Sequence, residues 1–171
     1  MTAAEGRQYR SALAQVLLDC VEGGASVSFM ASLSNDEAEA FFDYVIEGVE
    51  AGHRMLFAAF TGSELVGTVQ VVTATPPNQP HRADVAKLLV LRSARGKGVG
   101  ALLMQSAEAA SLRNGRTLLV LDTVTGGAAE RLYLRLGWTK AGVIPGYAMF
   151  PDGRWCDTTI FWKNLSGGFD D

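Results

Sequence analysis

Lys87-Leu88-Leu89-Val90-Leu91, then Arg95-Gly96-Lys97-Gly98-Val99-Gly100, then Ala101-Leu102-Leu103-Met104-Gln105-Ser106-Ala107-Glu108 form an apolar run, a basic glycine-rich turn and a helix-like segment in close succession. A strand that bends sharply into a helix leaves several main-chain N–H groups unpaired and pointing one way, which makes an anion socket. The alternating glycines remove the Cβ atoms that would hold a phosphate off the main chain, and Arg95 and Lys97 add positive charge where a diphosphate would rest. The turn therefore predicts a phosphorylated cofactor. It lacks the Gly-Lys-Ser/Thr ending that would supply a magnesium-binding hydroxyl, so a nucleotide P-loop is disfavoured. It also reads Gly-x-Gly-x-Gly rather than Gly-x-Gly-x-x-Gly, and Asp122 lies too far along to hold a ribose, which disfavours a dinucleotide fold.

Around this stretch the chain alternates helical and strand periodicity. Leu13, Val16, Leu17 and Cys20 recur at helical spacing until Gly23-Gly24, predicting a helix over 9–21. Ser34 with Glu37 forms a capping box ahead of a second apolar stripe, Phe41, Val45 and Val49, which ends at Gly52. Residues 55–60 and 65–73 read as strands of a hairpin turning at Thr61-Gly62-Ser63-Glu64, and a proline-rich loop then leads into the strand ending at Leu91. The helix after the glycine turn closes at Asn114-Gly115. Residues 117–121 are apolar without alternation, as expected of a central strand covered on both faces. A short helix over 128–136 and strands over 140–149 and 158–163, joined at Pro151-Asp152-Gly153, complete the pattern; 166–171 reads as a loose tail.

Composition narrows the function classes. At 171 residues the chain corresponds to one domain with room for a core. A net charge of −3 argues against nucleic acid as a partner. Cys20 and Cys156 fit neither a disulfide framework nor a zinc cluster, and His53 and His81 are far apart, so no metal is expected and a reducing cytoplasm is. The first apolar stretch is interrupted by Gln15 and Asp19, so neither export nor a membrane span is expected.

The segment Leu88-x-Val90 followed by Arg95-x-x-Gly98-x-Gly100 resembles the acyl-CoA signature of the GNAT N-acetyltransferases. Leu118-Leu119-Val120-Leu121-Asp122-Thr123, Ala129-Glu130-Arg131-Leu132-Tyr133 and Leu136-Gly137-Trp138 resemble the next strand of that family and its tyrosine motif. His81-Arg82-Ala83-Asp84-Val85-Ala86-Lys87-Leu88, Ile144-Pro145-Gly146-Tyr147 and Pro151-Asp152-Gly153 resemble the tabtoxin-resistance-type branch. The resemblance implies an α/β acyl-CoA N-acyltransferase fold of three layers, αβα, whose mixed, mostly antiparallel sheet is splayed at the CoA site. One departure is that helix-like sequence begins where the family usually has an opening strand, which is expected to be absent or truncated. The resemblance further implies acetyl-CoA as cofactor, held by Leu89, Val90, Leu91, Arg95, Gly96, Lys97, Gly98, Val99, Gly100 and Ala101, with an amine as acceptor. Phe29, Gln70 and Tyr147 are the candidate acceptor residues. A homodimer is compatible with the chain, which does not fix the oligomeric state.

Direct acetyl transfer needs a polarised carbonyl, a neutral amine and a place for thiolate charge. Tyr133 matches the tyrosine near the CoA sulfur. A free phenol at ~10 is a weaker acid than a thiol at ~8.5, so hydrogen bonding to the leaving sulfur is favoured over full protonation, unless Tyr133 is simply core. Asp122, eleven residues before Tyr133, matches the acid of the branch's acid–base pair; it is read as a base that needs burial or a water relay, as a chiefly orienting group, or as a helix-cap or loop carboxylate bonded to Thr123 or Thr125. Asp84 is the rival base, or else a partner for Arg82 or Lys87. Gly126-Gly127 stands where relatives often carry Asn, so close main-chain approach replaces a side-chain contact there. The expected activity is acetylation of a small amine, antibiotic-, toxin- or amino-acid-like. A peptide or protein lysine acetyltransferase and a non-catalytic acyl-CoA sensor are the competing readings.

Overall fold

The computed structural model describes residues 1–167; positions 168–171, most of the expected loose tail, lie outside the described residues. Before any strand come α1 (Ala3–Gln8), α2 (Arg10–Glu22) and α3 (Asn35–Glu50), followed by the β1 (Arg54–Thr61) and β2 (Glu64–Val72) hairpin. Next are β3 (Arg82–Val90), a single 3-10 turn at Arg92–Ala94, and α4 (Val99–Arg113). The chain continues through β4 (Leu118–Val124), α5 (Ala128–Arg135), β5 (Thr139–Met149) and β6 (Trp155–Asn164). The Ser34–Glu37 capping box forms as its spacing predicts, each side chain answering the other residue's main-chain N–H. A second box, Thr2 with Glu5, starts α1, a helix missed in the sequence pattern because it carries only one buried residue, Gly6. Two predicted boundaries move. The strand expected over 117–121 runs on to Val124, which puts Asp122 inside β4 rather than at its end, and the last strand begins at Trp155.

The six strands are ordered β1-β2-β3-β4-β6-β5, antiparallel throughout except for the β3–β4 pair. No strand precedes α1 among the described residues, so β1 forms one edge of the sheet and β4 lies inside it. Leu56 pairs opposite Gln70 and Phe57 opposite Val69, so alternate residues serve opposite faces. On one face Leu56, Leu65 and Leu89 pack with Leu13, Leu17 and Cys20 of α2 and Phe42 and Val45 of α3. On the other, Val69, Val71, Val85, Leu119, Leu121 and Phe161 pack with Leu103, Met104 and Ala107 of α4 and Tyr133 of α5. These two cores give the expected three layers.

Two irregularities open the sheet at its middle. The β3–β4 ladder stops at Asp84 opposite Val120, although both strands continue, so the edge of β3 beyond Asp84 faces away from β4 unpaired. In β2–β3, Thr68 opposes Leu89 and Gln70 opposes Ala86, so Lys87 and Leu88 together face Val69 in a β-bulge. A parallel ladder that ends early and a bulge on the same strand splay the sheet where the glycine turn begins.

Behind the splay, the start of α5 is held by a buried carboxylate. Glu130 accepts from the main-chain N–H of Gly126, from Thr159 Oγ1 (3.1 Å) and from Lys140 Nζ (3.5 Å). The Gly126 bond foremost, together with Thr159 and Lys140, holds its carboxyl below the ordinary range despite burial. A lowered pKa means that its stabilisation is present above the unfolded value near 4.5 and is lost as pH falls below it. Glu130→Gln is expected to lose about 1–3 kcal/mol at pH 7, read as a lower Tm, with the gap to the native protein narrowing in melts below pH 4.5.

Candidate active site

The splay opens into a cleft of about 1180 Å3 bounded by β3, β4, α5, the glycine turn and the loop between α2 and α3. That loop is tied across to the β5–β6 hairpin: Ser26 Oγ donates to the Met149 carbonyl (2.6 Å) and Ala31 N to the Pro151 carbonyl (3.1 Å). The hairpin thereby becomes the far wall and carries Tyr147 into the lining. Of the residues singled out by sequence, Leu89, Val90, Arg95, Gly96, Gly98, Val99, Gly100, Ala101, Asp122, Tyr133, Phe29 and Tyr147 line this one cleft.

At the glycine turn, the N–H groups of residues 96–101 make no main-chain hydrogen bond among the described residues, and no side chain caps α4. Gly98 occupies the N-cap in a left-handed conformation, φ +84, that bends the chain into the helix. A Cβ on Gly100 would lie 3.2 Å from Leu132 Cδ2, tighter than ordinary contact, so a side chain there would require Leu132 of α5 to give by a few tenths of an ångström. Arg95 Nε donates to the Val90 carbonyl (3.1 Å), and its Nη2 lies 3.6 Å from Cys20 Sγ, which folds the guanidinium back along β3. Unspent N–H groups at a helix start beside a basic side chain are the donor set that a diphosphate requires. Leu91 and Lys97 stand apart: Leu91 N–H is spent on the Val66 carbonyl, and neither residue lines the cleft.

Tyr133 is buried, its ring flanked by Trp138 and Phe161 at centroid distances of 6.0 and 5.9 Å. Its phenol makes no hydrogen bond to protein among the described residues. Burial first, and Asp122 second, push the phenol well above its ordinary value, so it holds its proton. Asp122 is exposed to the cleft and likewise makes no hydrogen bond among the described residues, so it is not a capping group. Instead Thr125 pairs with Thr159 (2.8 Å).

Two candidates lie outside the lining. Asp84 is paired with Arg82, whose Nε also donates to Gln79 Oε1 (2.7 Å). Gln70 is fully buried on β2 and accepts from Arg54 Nη1 (2.6 Å). Its face was not readable from sequence because a buried polar side chain in a strand gives no sign of what it pairs with.

Lys87 joins the lining in their stead. It sits in the β3 bulge at φ 52, and its Nζ donates to Ser28 Oγ (2.9 Å) on the opposite wall. Ser28, at φ 76, is the other non-glycine residue with positive φ among the described residues. Each such conformation costs on the order of 1 kcal/mol, and this kind of strain concentrates at ligand sites. No sequence signal announces Lys87, because a bulge is a property of pairing with β2.

The profile of the Acetyltransferase (GNAT) family matches residues 17–138. Among solved structures, an N-acetyltransferase from Staphylococcus aureus Mu50 superposes with a TM-score of 0.78 at 20% identity, covering 92% of this chain and 93% of its own. The Salmonella typhimurium protein yncA, solved with its cofactor acetyl-CoA, gives 0.78 at 17%, covering 96% and 92%. A ribosomal-protein-alanine N-acetyltransferase from Brucella melitensis gives 0.78 at 19%, covering 96% of each chain. With the family's cofactor turn, splayed sheet and tyrosine-bearing helix gathered on one cleft, the chain belongs to the GNAT family of acetyltransferases.

Proposed function

We propose that this acetyltransferase transfers acetyl from acetyl-CoA to the amine of a small molecule by direct attack, in the manner of the tabtoxin-resistance-type branch. The observation that carries the reading is the convergence of the unspent N–H groups of Gly96, Gly98, Val99, Gly100 and Ala101 with Asp122 and Tyr133 on one cleft. Gly96, Gly98, Val99, Gly100 and Ala101 would hold the diphosphate with Arg95, and the open edge of β3 at Leu89 and Val90 would accept the pantetheine arm as an added strand. Acetyl-CoA, when bound, supplies the thioester whose acetyl group passes to the acceptor nitrogen. Asp122 orients the acceptor ammonium and relays its proton to water, to which its exposure gives it access. Tyr133 keeps its proton on Oη and offers it as a hydrogen bond. Proton transfer to a thiolate is uphill by about 2 kcal/mol for free groups, and burial widens that mismatch.

The tie of the α2–α3 loop to the β5–β6 hairpin supports a small acceptor over a peptide, because it joins two walls of the cleft to each other. The test is thiol release from acetyl-CoA with a panel of small amines beside peptides carrying a free N-terminus or a lysine. Turnover of small amines alone is expected. Faster turnover of the peptides would transfer the reading to protein acetylation, and binding of acetyl-CoA with no acceptor turned over would leave a sensor. No helix among the described residues is long and apolar enough to cross a membrane.

A further inference from the structure

Lys87 brings a positive charge into the cleft that Asp122 and Tyr133 also line, without an ionic partner among the described residues. None of the ion pairs among the described residues includes it, so every carboxylate oxygen of those residues lies beyond 4.0 Å from Nζ. Its one hydrogen bond, to neutral Ser28 Oγ, uses one of three Nζ protons. Desolvation lowers its pKa, a nearby Arg54 lowers it further, and Asp122 opposes both from a distance. A half-buried ammonium in this state gains from an anion delivered to it. The strand is also bent to aim it: Lys87 and Ser28, the two non-glycine residues with positive φ among the described residues, meet at that bond. A purely structural tie between loop and strand needs neither a charge nor two strained residues.

We propose that Lys87, held by Ser28, is a carboxylate seat, so that with Asp122 taking the ammonium the acceptor is an α-amino acid. The proposal rests on the acetyltransferase reading above and names its substrate class. Lys87 and Asp122 line the same cleft as opposite charges that make no ion pair with each other, so a ligand bearing both charges can meet both: its carboxylate satisfies the free Nζ protons while its nitrogen stays beside Asp122. Phe29, Met30 and Tyr147 in the same lining provide apolar surface for the side chain of the amino acid.

The test is calorimetric titration of CoA-saturated protein, in which no transfer occurs, with L-α-amino acids and their α-carboxamides as matched pairs. At least one acid with an apolar side chain should bind roughly 30-fold tighter than its carboxamide. Lys87→Gln should collapse that ratio to within about threefold, and Lys87→Arg should recover part of it. Thiol release with the same pairs gives a second readout, and the less basic amine of a carboxamide makes intrinsic reactivity run against the expected order. Should Lys87→Gln fail to fold by circular dichroism, Ser28→Ala, which frees Nζ, should lower the ratio in its place. Equal binding of acid and carboxamide, an unchanged ratio in the variants, or no acid bound would overturn the proposal. Thiol release from amines without preference for acids defeats this proposal alone, whereas no acetyl-CoA thermal shift and no thiol release with any amine defeats the parent reading with it.

Discussion

Tyr133→Phe and Asp122→Asn are each expected to lower kcat by about 10²-fold or more while leaving the acetyl-CoA thermal shift in place. The two side chains belong to β4 and α5, whereas the unspent N–H groups belong to the glycine turn that starts α4, so cofactor binding and turnover should separate. Tyr133→Phe keeps the ring between Trp138 and Phe161 and removes only a hydroxyl that has no protein partner among the described residues. Its Tm should therefore stay level or rise slightly, which rules out unfolding as the cause of lost rate. The pH profile adds a sign. Burial and Asp122 raise the phenol, so activity should not fall through Tyr133 ionisation below about pH 10. Asp122→Asn removes the second of those causes and should bring the phenol part of the way back down, read as an ultraviolet tyrosinate titration. Undiminished rates in both variants would remove the catalytic assignment and leave the cofactor socket untouched.

What the sequence made legible follows from the range of the interactions. The Ser34–Glu37 box, the Gly98 turn and the Asn114-Gly115 stop are built from residues within a few positions of one another, so local pattern suffices to find them. The family motif then carried Asp122 and Tyr133 to the same cleft although they sit on a strand and a helix. Features that depend on pairing between distant segments stayed hidden. Lys87 points across the cleft only because β3 bulges against Val69 of β2, and Ser28 meets it from 59 positions away. Glu130 reads as one more helix-surface acid until Thr159 and Lys140, from β6 and β5, close over it. Gln70 and Asp84 differ in this respect: the pairing of Asp84 with Arg82, two residues away on β3, is one of the readings the sequence leaves open, whereas Gln70 meets Arg54 only across the β1–β2 pair.

Gly98→Ala should abolish most of the stabilisation that acetyl-CoA confers, and the size of the effect can be set in advance. At a ligand concentration 100 times Kd, binding adds about 2.7 kcal/mol, which for a chain of this size raises Tm by roughly 5–11 °C. A hundredfold loss of affinity leaves about 0.4 kcal/mol, close to 1 °C. The substitution also strains the backbone, because a left-handed residue with a Cβ costs on the order of 1–2 kcal/mol, so ligand-free Tm falls as well. Gly62→Ala separates the two effects. Gly62 has φ +60 and open space around its missing Cβ, as Gly98 does, but it turns the β1–β2 hairpin outside the cleft lining. Both variants should melt lower without ligand, and only Gly98→Ala should lose the response to acetyl-CoA. An equal response in the two would mean that the diphosphate does not approach the main chain closely at Gly98, because both variants place a Cβ at a positive-φ position with open space around it and differ in whether that position lines the cleft.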